Sequence, residues 1–333
     1  MSRLAWMLAL VLVWATTVVA CSGDDEPDEG AAGDGAGDAP RDGGVDADAG
    51  AGGAPNVPSG PADGEMLALT YNVAGLPETL SSSMPERFTP MIGPLLNGYD
   101  LVLVQESWLT PDPNPGEPLR VYHELLLEEV EHPHTSEPAE VPWGMDERRP
   151  SALLGDGLNR FSEFPFEEVT RVAWDICVDT AADCLALKGF SMARTTLEDG
   201  VTVDIYNLHM EAGGSPEDDA ARAAGIEQMI EFMATMSDGR AVIVGGDFNL
   251  HIDSEPDGTL FEHLLDETGL TDVCTQLGCD EPGSIDKFLY RSSEDVRIDA
   301  LSWSNDSDVF QSDTGEDLSD HPPIAVRFAW TGR

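Results

Sequence analysis

Five short segments, far apart in the chain, carry polar residues that can bind a metal ion or a phosphate. They are residues 70–72, 104–106, 207–209, 246–249 and 319–321. Carboxylate and amide oxygens of this kind are the ligands that hard divalent cations prefer. The two histidines among them, His209 and His321, can transfer protons near neutral pH. These residue types together predict metal-assisted hydrolysis of a phosphate ester.

The first four segments each follow a short apolar run, at residues 66–69, 101–104, 201–206 and 241–244. Short apolar runs rich in β-branched residues are typical of buried strands. Polar residues at the ends of several strands are how an α/β sheet gathers a site from distant sequence. We therefore expect the segments to meet at one end of a sheet.

The clearest helix is predicted over residues 216–236, with Ser215 as its N-cap. A strand, this helix and a second strand would place His209 and Asp247 at the same end of the sheet. A second helix is expected over residues 83–96. The helical positions expected to face the core are Ile226, Met229, Ile230, Met233 and Met236.

In this order, the five segments resemble the endonuclease/exonuclease/phosphatase superfamily, which includes deoxyribonucleases, inositol phosphatases and neutral sphingomyelinases. A sixth segment, residues 285–290, is similar to the late strand that carries an aspartate in this family, here Asp286. The resemblance extends from about residue 67 to residue 328. It implies an α/β (α+β) fold, a two-layer sandwich of mixed sheets flanked by helices, with the site at one end.

Within the superfamily, residues 186–190 look most like the Lys-Gly step of the sphingomyelinase-type members. Lys188 is thus a candidate phosphate-binding residue, with a solvated strand residue as the alternative. Lys287 alternates with Asp286 and is expected to point away from the site. Residues 159–161 replace an apolar run of the family, which predicts a short or distorted strand.

Glu106 is the best single candidate for a metal ligand, because it directly follows a predicted buried strand. Asn72 and Asp320 are expected to hold the metal or its waters. Mg²⁺ suits so sparse a ligand set, since it keeps several waters, and Ca²⁺ or Mn²⁺ could replace it.

His321 and Asp286 are predicted to form a pair in which the carboxylate raises the basicity of the imidazole. His209 would contact a phosphate oxygen or protonate the leaving group. Asp247 and Asn249 would orient the attacking water. Members of the family assign the general base either to a histidine or to the aspartate equivalent to Asp247, and the sequence leaves both open.

The net charge of the 333-residue chain is −46. Residues 66–333 contain 51 acidic and 15 basic residues, a net charge of −36. A nucleic-acid-binding protein normally carries a basic surface for the phosphates. The charge therefore disfavours a nucleic acid as substrate, although screening in a salty environment would weaken this argument.

Residues 1–20 are typical of a bacterial lipoprotein signal, with Arg3, an apolar stretch and a small residue before Cys21. About 16 apolar residues fall short of the roughly 20 that span a membrane. Cys21 is the expected lipidation site, and residues 21–65 form an acidic Gly/Ala/Asp-rich linker, predicted to be disordered. Residues 66–333 would form one catalytic domain, exported, anchored to a lipid membrane through its N-terminus and monomeric.

Four further cysteines suggest two disulfides in an exported protein. The preferred pairs are Cys177–Cys184 and Cys274–Cys279, although sequence alone allows other pairings. Their spacing does not match common zinc sites. The five histidines outside the site segments are expected to be solvated.

The leading hypothesis is a phosphodiesterase that acts on phospholipid head groups, in the manner of a sphingomyelinase or phospholipase C. An extracellular nuclease on the same fold is the second hypothesis, and a non-catalytic surface binding protein is the third. Inositol phosphates also remain possible as substrates.

Overall fold

The computed structural model describes residues 63–76, 83–108, 122–136, 149, 152, 154–178 and 183–333. The predicted signal, Cys21 and the linker up to residue 62 lie outside these residues. The first strand nevertheless begins at Asp63, inside the predicted linker, because Asp63 pairs with Thr331 near the C-terminus.

The described residues form two six-stranded sheets and five α-helices. In chain order the strands are β1 (Asp63–Asn72), β2 (Leu101–Gln105), β3 (His134–Thr135), β4 (Asn159–Ser162), β5 (Thr170–Ala173), β6 (Gly189–Glu198), β7 (Val201–His209), β8 (Val242–Asp247), β9 (Thr271–Asp272), β10 (Asp286–Arg291), β11 (Val296–Asn305) and β12 (Ile324–Gly332). The helices are α1 (Pro85–Leu96), α2 (Tyr122–Leu127), α3 (Pro216–Met236), α4 (Asp257–Thr268) and α5 (Val273–Leu277).

The first sheet has the order β11-β12-β1-β2-β4-β3, and the second has the order β5-β6-β7-β8-β10-β9. Both are mixed, because β1–β2 and β7–β8 are parallel pairs while the remaining pairs are antiparallel. As predicted, β4 is short, with four residues.

Three hydrophobic layers hold these elements together. Between the sheets, Met66 and Leu103 of the first pack with Ile205 and Ile243 of the second. The outer face of the second sheet packs on α3 and α4, and that of the first packs on α1 and α2. Each large side chain buried in this way contributes roughly 1.5–3 kcal/mol. The predicted sandwich of mixed sheets flanked by helices is confirmed.

Helix α3 begins as predicted, with a reciprocal capping box between Ser215 and Asp218. Its predicted core face is correct for Ile226, Met229 and Met233. Met236, the last residue of the helix, is instead 39% exposed.

Both preferred disulfides, Cys177–Cys184 and Cys274–Cys279, are present. Among the described residues, no helix has the length and apolar character needed to cross a membrane.

Candidate active site

Strand direction gathers the site at one end of the sandwich. Asn72 is the last residue of β1, and Glu106 directly follows the parallel strand β2. In the second sheet, His209 and Asp247 end the parallel strands β7 and β8 and are register partners. Asp286 begins the antiparallel strand β10 opposite Asp247. The residues come together because parallel strands end at the same edge, while an antiparallel neighbour begins there.

Asn72 connects the acids of the two sheets. Its Nδ2 donates to Glu106 Oε1 and to Asp247 Oδ2, both at 3.1 Å, and the side chain is completely buried. Its Oδ1 accepts from the Ala74 backbone at 3.1 Å. Asn72 therefore fixes the separation between a carboxylate of the first sheet and one of the second.

Backbone strain is concentrated at this end of the molecule. Among the described residues, three non-glycine residues have positive φ: Ala74 (47°), Glu106 (57°) and Asn249 (49°). Left-handed conformations cost about 1–3 kcal/mol at non-glycine residues and persist where surrounding contacts impose them. A Cβ added to Gly75 would come within 2.3 Å of the Glu106 carbonyl oxygen, so glycine permits the close approach of these two loops.

His321 and Asp286 form the predicted pair, with 2.9 Å between Nδ1 and Oδ2. The other ring nitrogen, Nε2, lies 3.9 Å from Asp247 Oδ2. Ser319 anchors the loop before His321 by donating to the Asn72 carbonyl at 2.6 Å. Ligand atoms of Asp247, Asp286 and His321 all lie within 4.8 Å of one another.

His209 approaches the same carboxylate from the other side. Its Nε2 lies 3.4 Å from Asp247 Oδ2 and 3.9 Å from Glu106 Oε1. The ring is 1% exposed, and its Nδ1 has no hydrogen-bond partner among the described residues. Burial and the positive charges of Lys188 and His321 lower the pKa of His209 well below its usual value, so its imidazole is neutral.

Burial raises the pKa of the three acids. The pKa of Asp247 rises to about 6, through burial first and the nearby Asp286 second. Burial likewise raises the pKa of Glu106 and of Asp286, against the opposing effects of Lys188 and His321 respectively. For His321, burial acts to lower the pKa, but Asp286 and the other carboxylates raise it to about 10.

Lys188 is buried beside this cluster, and its charge acts on Glu106, Asp247 and His209. Its Nζ lies 2.7 Å from Asp183 Oδ1. The alternative of a solvated strand residue is therefore wrong. Lys287 donates to the Pro282 carbonyl and lies over the Phe261 ring, so it takes no part in the cluster.

Gln105 and Asn207 form a polar bridge between the sheets just behind the site. Gln105 Nε2 donates to Asn207 Oδ1 at 2.7 Å. Asn207 Nδ2 in turn donates to the carbonyls of Val104 and Asn159, each at 3.0 Å. All these groups are buried, and the bridge sets the register of one sheet on the other.

Two of the predicted site residues, Asn249 and Asp320, lie at the edge of the cluster. Asn249 donates its backbone N–H to Asp247 Oδ1 at 2.9 Å and its Nδ2 to the Met210 carbonyl at 3.1 Å. It therefore orients Asp247 and the loop. Asp320 is exposed and lines a cleft next to His321, outside the group formed by Asp247, Asp286 and His321.

Sequence reasoning missed an acidic layer behind Lys188. Asp183 accepts from the Ala212 backbone at 2.7 Å as well as pairing with Lys188. Glu211 is 2% exposed, and burial followed by the charge of Asp183 raises its pKa to about 7. The one signal in the sequence was proximity to residues already singled out. Asp183 directly precedes Cys184, and Glu211 lies two residues after His209.

Two histidines expected to be solvated are buried. His123 Nδ1 and Ser107 Oγ are 2.7 Å apart, and His132 Nε2 lies 2.7 Å from the Tyr99 carbonyl. Burial lowers the pKa of His123 to about 4. They were misjudged because neither belongs to an apolar pattern, so the sequence gives no sign of their burial.

No protein-family model matches the chain. The chain is 35% identical over 291 residues to a sphingomyelinase of Mycobacterium tuberculosis, covering 82% of this chain and 54% of that protein. It thus spans about half the length of this relative.

Solved structures share the fold. A magnesium-bound mutant of Staphylococcus aureus beta toxin has a TM-score of 0.57 and 17% identity, over 79% of this chain and 99% of that chain. An endonuclease/exonuclease/phosphatase from Beutenbergia cavernae has a TM-score of 0.52 and 14% identity, over 79% of this chain and 71% of that chain. The chain is therefore a homologue of a sphingomyelinase and has the fold of the endonuclease/exonuclease/phosphatase structures.

A divalent cation, which this superfamily implies, suits the donors present here. Asp247 and Asp286 offer hard oxygen atoms close together, and Glu106 is joined to Asp247 through Asn72. Asp286 Oδ1 is buried and has no hydrogen-bond partner in the described part of the chain. Among the described residues, no arginine bonds to these three acids. Buried carboxylates are costly unless positive charge compensates them. His321 and Lys188 compensate these acids in part, and a bound cation would complete the compensation.

Proposed function

We propose that this chain is a divalent-metal-dependent phosphodiesterase that hydrolyses phospholipid head groups of the sphingomyelin type. The observation that carries the proposal is the cluster of the buried Asp247, Asp286 and His209 with the partly buried Glu106 and His321, in which no described arginine bonds to an acid. The identity to a sphingomyelinase supports the choice of substrate. The net charge of −46 is unfavourable for a long nucleic acid.

Glu106 would be the main metal ligand, with Asn72 holding the metal or its waters and Asp320, exposed beside His321, reaching the metal only through a water. Mg²⁺ is the proposed ion, with Ca²⁺ or Mn²⁺ as alternatives, and the magnesium in the beta toxin structure supports this choice. When bound, such an ion neutralises charge on the phosphate and on the departing oxygen. Asn72 would also hold Glu106 and Asp247 at a fixed separation while substrate binds.

The attacking water is proposed to lie against Asp247 Oδ2, the atom that both imidazoles approach. Asp286 accepts the Nδ1 proton of His321 and so leaves Nε2 directed toward Asp247. An imidazole held at Nδ1 by a carboxylate, with Nε2 facing the proposed water, has the geometry of a general base. The surrounding carboxylates keep His321 protonated, so its action as a base requires that their charge be offset, as a bound cation would do.

His209 and Lys188 would bind the phosphate. His209 is neutral and can donate one hydrogen bond to a phosphate oxygen from a fixed ring. Lys188 brings a positive charge close to Glu106 and Asp247. Asp183 positions that charge through the 2.7 Å ion pair.

The test is hydrolysis by the purified full chain of sphingomyelin vesicles and of plasmid DNA, each with Mg²⁺ and with EDTA. We expect magnesium-dependent release of phosphocholine, lost in Glu106→Gln. The exposed variant Glu128→Gln, which makes the same charge change away from the site, serves as the control. Cleavage of DNA without hydrolysis of lipid would favour the nuclease instead, and activity unaffected by EDTA would exclude the metal.

We also propose that the chain is exported as a monomer and anchored through acylated Cys21. The two disulfides support export. Cys21→Ser should move the protein from the membrane fraction to the soluble fraction and abolish incorporation of labelled palmitate. Retention in the membrane fraction by this variant would contradict the anchor.

A further inference from the structure

Ser107, the residue directly after Glu106, is bonded through every polar group that it has. Its N–H donates to the Gly157 carbonyl at 3.0 Å, and its carbonyl accepts from Asn159 Nδ2 at 3.2 Å. Its hydroxyl oxygen lies 2.7 Å from Nδ1 of His123 in α2. Contacts from α2, from β4 and from the loop before β4 therefore fix the residue next to the proposed metal ligand.

Glu106 needs such support because its backbone is left-handed. Its φ of 57° is a conformation that a non-glycine residue keeps only where surrounding contacts impose it. The amide of Asn72 holds the far end of the side chain, at 3.1 Å from Oε1. Without the contacts of Ser107, the backbone of Glu106 could relax to negative φ, which would turn the carboxylate away from Asn72.

His123 is buried without an evident gain in stability. It is 2% exposed, and its Nε2 has no hydrogen-bond partner among the described residues. A buried polar atom that stays unpaired costs free energy, so an apolar side chain would suit this position in the core better. Within the described residues, the one hydrogen bond of the imidazole is the bond to Ser107. The contribution of His123 is therefore to the position of Ser107.

The pair is not arranged as a nucleophile with its base. Ser107 is 5% exposed, and no carboxylate in the described part of the chain bonds to His123. Burial lowers the pKa of His123 to about 4, which makes the imidazole a weak base. A neutral imidazole can still hold a hydroxyl group by a hydrogen bond, as acceptor or as donor. The pair thus suits positioning and not proton transfer.

We propose that Ser107 and His123 are positioning residues, which keep Glu106 in its left-handed conformation and so hold its carboxylate ready for the divalent cation. The inference rests on the proposed function, in which Glu106 binds the ion. Groups that hold metal ligands in place commonly account for about 10- to 100-fold in metal affinity or activity.

The dissociation constant of the ion separates positioning from a purely structural role. Free Mn²⁺ is measured by electron paramagnetic resonance during titration of the full chain without substrate. We expect Ser107→Ala and His123→Leu each to raise the dissociation constant about tenfold. His123→Asn, whose amide can still bond to the Ser107 hydroxyl, should stay within about threefold of the wild type. At saturating Mn²⁺, kcat on sphingomyelin vesicles should stay within about twofold in all three variants.

His132 offers a matched control. It is also a buried histidine, with one ring nitrogen bonded to the Tyr99 carbonyl and the other unpartnered among the described residues. Tyr99 precedes β2 and Glu106 follows it, so His132 contacts the opposite end of that strand. His132→Leu makes the same change of side chain and should leave the dissociation constant of Mn²⁺ at the wild-type value. The double variant of Ser107→Ala with His123→Leu should bind Mn²⁺ no more weakly than either single variant, because both remove one contact.

An unchanged dissociation constant in Ser107→Ala and His123→Leu, with binding lost in Glu106→Gln, would overturn the inference and leave the proposed function standing. An equal rise in His132→Leu would also overturn the inference. If His123→Leu does not fold, Ser107→Ala decides, because it removes a single heavy atom of the pair. Mn²⁺ binding that depends on Glu106 and on the pair, without hydrolysis of sphingomyelin, would overturn the proposed function and leave the positioning pair standing.

Discussion

Asp204 and Asp247 are buried acids at opposite ends of the same pair of strands, and their surroundings differ. Asp204 accepts from Arg194 Nε and Arg240 Nε, both at 2.9 Å, and from Ser237 Oγ at 2.8 Å. Asp247 accepts from Asn72 and Asn249 and faces two imidazoles and a second acid. One end neutralises its carboxylate with two guanidinium groups, whereas the other leaves its acids largely uncompensated.

This difference separates a structural acid from a functional one. When arginines occupy the oxygen atoms of a carboxylate, those atoms are not available to a ligand. Removing such a carboxylate leaves the partly buried guanidinium charges unpaired. The carboxylates at the site end have raised pKa values. Shifted pKa values of this kind are common among groups that bind metals or transfer protons. Removing the acid at the site end should therefore lower turnover, whereas removing the acid at the opposite end should lower stability.

The largest effect is expected at the site end. Asp247→Asn and His321→Ala should each lower kcat by about 10²- to 10⁴-fold, because each removes a group that we propose acts in the transition state. Neither side chain pairs with an arginine, so thermal unfolding should shift far less than turnover: His321→Ala leaves Asp286 without its imidazole partner, and Asp247→Asn removes the charge of a buried acid. Turnover of sphingomyelin beside melting curves measures both quantities, and near-normal turnover in either variant would refute its assigned role.

At the opposite end we expect the reverse result. Asp204→Asn should lower the free energy of unfolding by about 3 kcal/mol, because Arg194 and Arg240 lose a fully buried partner. Urea denaturation measures the loss. At a temperature where the variant is folded, kcat should equal that of the wild type, and a large drop in kcat would show that the two ends are coupled.

A cation should stabilise the site end alone. Mg²⁺ at one hundred times its dissociation constant would add about 2.7 kcal/mol to the free energy of unfolding. We expect this gain in the wild type and in Asp204→Asn, and its loss in Glu106→Gln. Calorimetric scans with Mg²⁺ and with EDTA measure the gain. Equal stabilisation of Glu106→Gln would place the ion elsewhere.

The smallest effect is the pH dependence of stability in EDTA. The folded pKa of Asp247, raised by burial to about 6, exceeds its ordinary value of 3.8. Its stabilising contribution is therefore present below about pH 4 and lost as pH rises through about 6. His321, with a folded pKa of about 10, stays protonated across this window.

Relative to Asp247→Asn, the wild type should lose about 1–3 kcal/mol between pH 4 and pH 6.5. Urea titrations at each pH measure this, and Mg²⁺ should flatten the profile. Parallel profiles for the two proteins would show that Asp247 is not the uncompensated acid.

The sequence predicted most of the elements that build the site, because strands and caps leave local patterns. The runs before Glu106, His209 and Asp247 are strands, and Ser215 caps α3 as expected. The His321–Asp286 contact was also predicted, although that pairing came from the family resemblance and not from spacing.

What the sequence did not predict depends on contacts between distant loops. Lysine is usually solvated, so the burial of Lys188 becomes evident only when Asp183 is seen beside it. The sequence likewise could not show that Asp320 is exposed while the adjacent His321 reaches the cluster, because side-chain directions in a loop leave no trace in apolar periodicity.

The alignment of the two sheets at the site depends on the Gln105–Asn207 bridge. Asn72 and Glu106 belong to the first sheet and its end, and His209, Asp247 and Asp286 belong to the second. Sliding of one sheet on the other would therefore separate Glu106 from His209 while every side chain stayed intact. Loss of these two amides, which do not touch the proposed substrate, would then abolish the proposed activity as completely as loss of a reacting group. The position of one sheet relative to the other is therefore a requirement of the proposed reaction.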